Sequence, residues 1–370
     1  MRIDPSRVLK EFSALVSIDS PSFGEKQMGD YLKKELASLG LSVRQDRAGD
    51  RIHGNCGNIH AFLEGTAEGE PLLFCAHMDT VEPSRGKRAV VSEDGTVTSD
   101  GKTVLGADDC AGLAAILEAL RTLREKKLPH RPVEVLFTVA EEPYCRGAEQ
   151  FDFSTLRSRE AYVLDLAGPV GGAAYGAPTI LSFTAEVLGK TAHAGFAPQD
   201  GIHAIAAAAA AVNQLRMGRV DPDTTLNVGT ISGGTATNIV PDRCIAAGEI
   251  RSYSHKKALE QAELVKKAFE DCARKIGASV KFESLCGCEA YETPTGHPVV
   301  LRFRQACARL GLPVSLEKTF GGSDNNHLAK HGIAGIVIAT AMNRCHSCEE
   351  YTTAQELGRA AELTLCLMTE

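Results

Sequence analysis

The sequence predicts an α/β fold: a mostly parallel, doubly wound sheet with a metal site at the carboxyl ends of its strands, plus an inserted α+β unit of split β-α-β-β-α-β, ferredoxin-like order. Three observations predict it. Short apolar runs alternate with helical patterns in the first and last parts of the chain; the pattern changes character from Ile180 to about Tyr291; and each outer apolar run leads into side chains suited to metal.

The elements follow in order. Val8 to Leu15 and Gln27 to Leu39 carry the apolar spacing of amphipathic helices. Leu72 to Ala76, Val133 to Ala140, Ala161 to Leu166 and Ile333 to Ala339 are nearly unbroken apolar runs, as strands buried on both faces require. CAGLAAILEALRTL, Cys110 to Leu123, is the clearest helix, with Asp109 placed as its N-cap. From Ile180 on, TILSFTAEVLG reads as a strand and HAIAAAAAAVNQL as a helix. TTLNVGTISGG and CIAAGEIRS follow as two strands, KKALEQAELVKKAFEDCARKIG as a helix and SVKFESL as a closing strand. Alternation resumes after Pro298 with VVLRFRQACARLG, which makes the middle segment an insertion. The expected division is a discontinuous outer domain, 1–178 with 292–370, and an inserted domain, 179–291.

Length and charge narrow the function. A chain of 370 residues is longer than one core usually grows. A net charge of −7, without a run of Lys and Arg, argues against nucleic acid or an anionic membrane as partner. MRIDPSRVLKEFSALVSIDS mixes charges into a helical pattern instead of forming a leader, and no apolar stretch approaches the length of about twenty residues that a membrane span needs. Twelve cysteines in no compact framework point to the reducing cytoplasm.

The chemistry lies at the strand ends. LLFCA gives His77 and Asp79, VEVLFTVA gives Glu141 and Glu142, AYVLD ends in Asp165, GIVIA leads to His346, and GADD adds Asp108 and Asp109 at a helix start. Ligands of open α/β sheets bind outside the carboxyl ends of the strands, so topology brings these residues to one crevice. Taken singly, each reads more readily as a loop pair, a cap or a solvated edge. Together, Asp79, Asp108, Glu141, Glu142 and Asp165 in one crevice would repel one another at low dielectric unless cations joined them. Two divalent metals remove that difficulty, and the histidine and carboxylate set suits zinc, with manganese or cobalt as alternatives. Such a site is hydrolytic in character. The GGT of Gly233 to Thr235 is not a phosphate loop, because it lacks the Lys and the spacing.

The series LLFCAHMDTV, GADDCAGLAAI, FTVAEEPYCRGAEQF, VLDLAG, TAHAG, GGTATNIVPD and FGGSDNNHLAKHGI…CHSCEEY resembles the M20 di-zinc metallopeptidases, nearest to their peptidase T-like (tripeptidase) branch. The resemblance implies that His77 and Asp165 bind one metal, that Glu142 and His346 bind the other, and that Asp108 bridges both. It implies Glu141 as general base and Asp79 as the partner of the His77 imidazole. It further implies that the insertion is a lid and dimerisation domain. There His193 would stabilise the oxyanion, often across a homodimer interface, while Asn238 and Arg251 would hold the substrate. Gly321, Gly322, Ser323 and Asp324 resemble a family loop that lines the pocket, although GGSD is also ordinary turn chemistry. Cys110 departs from the family, standing where relatives carry Lys.

Cys345 and Cys348 flank His346. On an extended segment they would point away from the metals, and their oxidation would distort the ligand loop. The expected activity is metal-dependent exopeptidase hydrolysis of short peptides, tripeptidase- or aminopeptidase-like. An N-acyl amino acid deacylase or carboxypeptidase would share every metal residue, and a non-catalytic metal- or peptide-binding protein is the reading of another class.

Overall fold

The computed structural model describes residues 3–369; Met1, Arg2 and Glu370 lie outside the described residues. The chain forms two compact units, 1–177 with 292–370, and 178–291.

The larger unit is built on a mixed sheet with a parallel centre. Leu72–His77 lies between Val133–Thr138 and Glu160–Ala167, parallel to both, and Ala334–Met342 continues the parallel set beside Glu160–Ala167. Antiparallel Ile59–Leu63 and Ser42–Gln45 finish one side. Alternation sorts the side chains: Leu72, Phe74 and Ala76 enter one core, while Leu73 and Cys75 enter the core on the opposite face. Both faces are therefore covered, which is why these strands read as continuous apolar runs.

Helices supply the covering layers. Pro5–Val16 starts at Asp4, whose side chain accepts from Ser6 N, and it buries Val8, Phe12, Leu15 and Val16 on one stripe. Ala107–Lys126 is buried along most of its length, and its Ala and Leu side chains pack it against the central strands. At its start Asp108 and Asp109 leave helical geometry, and Asp109 caps it by accepting from Gly112 N at 3.0 Å.

The smaller unit is a five-stranded antiparallel sheet covered by two helices, Ala204–Gln214 and His255–Lys275. Its long strands run in chain order Thr179–Leu188, Thr224–Gly233, Arg243–Ser252 and Ser279–Cys288. The expected split β-α-β-β-α-β order is present, with one short extra edge strand, Gly218–Asp221. Phe183, Leu226, Ile250, Val265 and Phe269 form its own core.

Candidate functional site

The register of the parallel strands places the donors. His77 is opposite Thr138, three residues before Glu141, and Asp165 lies two residues past Val163, which pairs with Cys75 two residues before His77. His77 Nε2 is 2.9 Å from Asp108 Oδ1 and 3.9 Å from Asp165 Oδ1. His346 Nε2 is 3.0 Å from Glu142 Oε2 and 3.3 Å from Asp108 Oδ2. Asp108 thus stands between the two imidazoles, with one oxygen toward each.

Burial differs across the cluster. The His77 side chain is 1 % exposed and that of His346 56 %, so the cluster opens to solvent on the His346 side. Burial pulls the His77 imidazole down, yet Asp108, Asp79 and Asp165 outweigh it and hold it well above the usual histidine range. Asp108, followed by Glu142, pushes His346 up to about 10. Burial raises Asp165 and Glu141 well above the carboxylate range and raises Glu142 against the pull of His346. Asp108 alone is lowered: burial works against it, but the two imidazoles win.

This donor set fits divalent cations. Donor atoms of His77, Asp108 and Glu142 lie within 4.8 Å of one another, as do those of His77, Glu141 and Asp165. His77 Nδ1 and Glu142 Oε1 are buried polar atoms without a hydrogen-bond partner. Acidic groups raised by burial and then by one another's charge, beside such atoms, are the condition that a bound cation relieves.

Asp79 faces the His77 imidazole as the sequence implied, its Oδ1 3.4 Å from Nδ1, at ion-pair distance and outside hydrogen-bond geometry. Its oxygens instead accept from Glu141 N at 2.9 Å, Glu142 N at 3.2 Å and Ser22 Oγ at 2.7 Å. Glu141 is buried, and its Oε1 accepts from Cys145 Sγ at 3.3 Å.

Three buried acids braced against the cluster carry no signal in a ligand motif. Glu350 accepts from Gly106 N at 2.6 Å and Asp108 N at 3.0 Å, tying the His346 loop to the Asp108 loop. Burial pushes it up to about 7 against those two amides. Glu25 accepts from Ala140 N at 2.9 Å. Asp324, the first residue of Asp324–Lys330 and capped by Ser323, accepts from Thr138 Oγ1. Gly321 to Asp324 is therefore at least a helix start.

The His346 segment is a turn, not the extended run expected, and His346 itself has φ +62°. A side chain held in left-handed backbone is costly and needs a surrounding structure that imposes it. Cys345 packs toward the core, and burial drives its thiol far up, opposite to the low value of a reactive cysteine. The expected oxidation switch finds no support at Cys345.

In the smaller unit, His193 and Asn238 lie on paired loops, with Ala194 N donating to Asn238 O at 2.9 Å. His193 Nδ1 accepts from Gly195 N and Phe196 N, both at 3.1 Å, which leaves the hydrogen on Nε2. Arg251 is held by Glu249 at 2.5 Å on the strand Arg243–Ser252. Leu188 pairs with Arg243 and Ile180 with Arg251, so Arg251 sits at the end of the sheet away from His193 and Asn238.

Carboxylates and imidazoles gathered at the carboxyl ends of parallel strands, with a buried acid beside them, define a metal-dependent hydrolase. A family model described as the peptidase dimerisation domain of the M20 group matches residues 175–280. The chain is 38 % identical to the uncharacterized protein YqjE of Bacillus subtilis, over 100 % of this chain and 99 % of that one. Among solved structures, it resembles the aminopeptidase PepT of Bacillus cereus with 36 % identity and a TM-score of 0.91, covering 99 % and 98 % of the two chains. It also resembles a tripeptidase of Staphylococcus aureus with 32 % identity and a TM-score of 0.96, covering 100 % and 99 %. The chain belongs to the M20 metallopeptidase family, in its peptidase T-like branch.

Proposed function

We propose that this metallopeptidase, a metal-dependent exopeptidase of short peptides, trims a free amino end at two divalent cations held by His77, Asp108, Glu142, Asp165 and His346, zinc being the best match. The observation that carries this reading is the position of Asp108 between His77 and His346, with Glu142 and Asp165 flanking them. Bound cations supply Lewis acidity toward the scissile carbonyl and lower the pKa of the attacking water.

The chain's own groups do the rest. Glu141, buried and within 4.8 Å of the donor atoms of His77 and Asp165, takes the proton of the attacking water and returns it to the leaving amine. Asp79 holds the backbone of Glu141 and Glu142 in place. His193 donates from Nε2 to the developing oxyanion, Asn238 holds a substrate carbonyl, and Arg251 pairs with a substrate carboxylate.

The smaller unit acts as lid and dimerisation domain of a homodimer. Eight residues of strand separate Arg243 from Arg251, roughly 26 Å, whereas a tripeptide spans at most about 11 Å. That separation favours Arg251 and the His193–Asn238 pair serving one short peptide from different copies of the unit. No disulfide joins the cysteines among the described residues, in keeping with a cytoplasmic protein.

The test is digestion of a peptide library with zinc, manganese and cobalt in parallel, read by mass spectrometry. Loss of the first residue from free-amine tripeptides, abolished by chelation, is expected. Preferential cleavage of N-acylated amino acids would make the enzyme a deacylase, loss of the last residue a carboxypeptidase, and metal binding without any amide hydrolysis a binding protein.

A further inference from the structure

The strand Val133–Thr138 stops just before the proposed base, and the next four backbone N–H groups have no ladder to join. Each is taken by a side chain from elsewhere. Val139 N donates to Asn58 Oδ1 at 3.1 Å, Ala140 N to Glu25 Oε1 at 2.9 Å, Glu141 N to Asp79 Oδ1 at 2.9 Å and Glu142 N to Asp79 Oδ2 at 3.2 Å. Asp79 and Asn58 have further duties, because Asp79 also holds Ser22, and Asn58 also bonds Asp46 and Gly147. Glu25 differs from both in that a single oxygen does its bracing, for Ala140 N and for its own neighbour Phe23 N.

We propose that Glu25 is a positioning residue for catalysis: it fixes Ala140, and through it the neighbouring Glu141, by one carboxyl oxygen. This rests on the reading of Glu141 as the base. Ala140 has φ +48°, a left-handed conformation that an alanine adopts only when held there. Glu25 is fully buried, and Oε1 receives both Ala140 N and Phe23 N, the latter at 2.8 Å. Oε2 is buried with no partner. Burial, with the nearby charge of Asp79, pushes the carboxyl up to about 7. A lone buried carboxyl with an idle oxygen is a poor stabiliser of the fold and a good anchor for a strained turn.

The geometry sets an atom-level test. Glutamine keeps the working oxygen and replaces only the idle one, whereas aspartate keeps the acid but withdraws the oxygen by one methylene. Metal-loaded Glu25→Gln, Glu25→Asp and Glu25→Ala would be compared with the parent for kcat and KM on a tripeptide, bound metal per chain and melting temperature. Glu25→Gln is expected within about 3-fold of the parent, and the other two about 10- to 100-fold lower in kcat with KM and bound metal unchanged. Should Glu25→Ala fail to fold, the Asp and Gln pair still decides. Parental kcat in Glu25→Asp, or an equal loss in Glu25→Gln and Glu25→Asp, would overturn the inference. Glu141→Gln serves as the control: its retained activity would sink the base reading itself, whereas its inactivity beside a fully active Glu25→Asp would sink only the role of Glu25.

Discussion

Glu350 offers the sharpest test of how the donor loops are held. It follows His346 by four residues, and its two oxygens grip Gly106 N and Asp108 N, so a single carboxylate locks one imidazole against the carboxylate between the two imidazoles. Glu350→Gln keeps the shape but offers one acceptor, and its amide hydrogens face the second N–H. Hydrogen bonds to a charged group are worth about 1.5–3 kcal/mol each, and the substitution removes one of the two, so roughly 1.5–3 kcal/mol of loop organisation is at stake. Part of that reaches the metals: loss of an outer support of this kind lowers affinity about 10- to 100-fold, or about 1.4–2.7 kcal/mol. The weaker binding should be greatest at the position held by Glu142 and His346. Competition titrations against a chromophoric chelator at pH 8, above the raised value of about 7 for Glu350, measure it directly. Parental affinity at both positions in a folded Glu350→Gln protein would refute the clamp.

Further outcomes follow from the same geometry. Glu141→Ala should lose about 10²- to 10⁴-fold in kcat while binding its metals normally, as steady-state kinetics beside metal analysis would reveal. Glu25 gives a pH signature in the metal-stripped protein: its folded value of about 7 lies above the ordinary 4.5, so the protonated form favours folding. Its contribution is fully present below about pH 4.5 and lost as pH rises through 7, about 3 kcal/mol in all. Urea titrations should show a decline that is smaller in Glu25→Gln than in the parent by that amount, the remainder coming from the other raised acids, Glu141, Glu142, Asp165 and Glu350. Arg121 joins Glu11 at 3.0 Å, Glu35 at 3.1 Å and Glu118 at 3.3 Å on the helical face of the larger unit. Arg121→Ala should destabilise by about 3 kcal/mol, near the lower bound for breaking a buried pair because Arg7 still holds Glu118, with activity per folded molecule unchanged by calorimetry and assay.

Much of the fold was legible because period and punctuation agree. Strands buried on both faces, such as Leu72–His77, leave no polar face to confuse the pattern, and Leu72–His77 itself ends in a histidine. The donor cluster was legible for the same reason, since parallel strands deliver their carboxyl ends to one edge. What escaped is what one-dimensional spacing does not encode. Glu25 and Ser22 lie in the turn-rich SPSFGE between two helices, far along the chain from Ala140 and Asp79, whose partners they are. Glu350 stood inside HSCEEY, yet nothing in that string says that its carboxylate reaches back to Gly106. The left-handed turn at His346 was missed because an apolar strand before a histidine suggests continuation, whereas Arg344 and His346 both have positive φ.

The central claim is that His77, Asp108, Glu142, Asp165 and His346 together carry the hydrolysis through bound cations. Metal per chain, measured alongside tripeptide hydrolysis during stepwise chelation and re-addition of zinc, tests it most directly. The account predicts two equivalents at full activity, no activity in the stripped protein and recovery in proportion to metal restored. Undiminished tripeptide hydrolysis by a chain shown to hold no metal would contradict it.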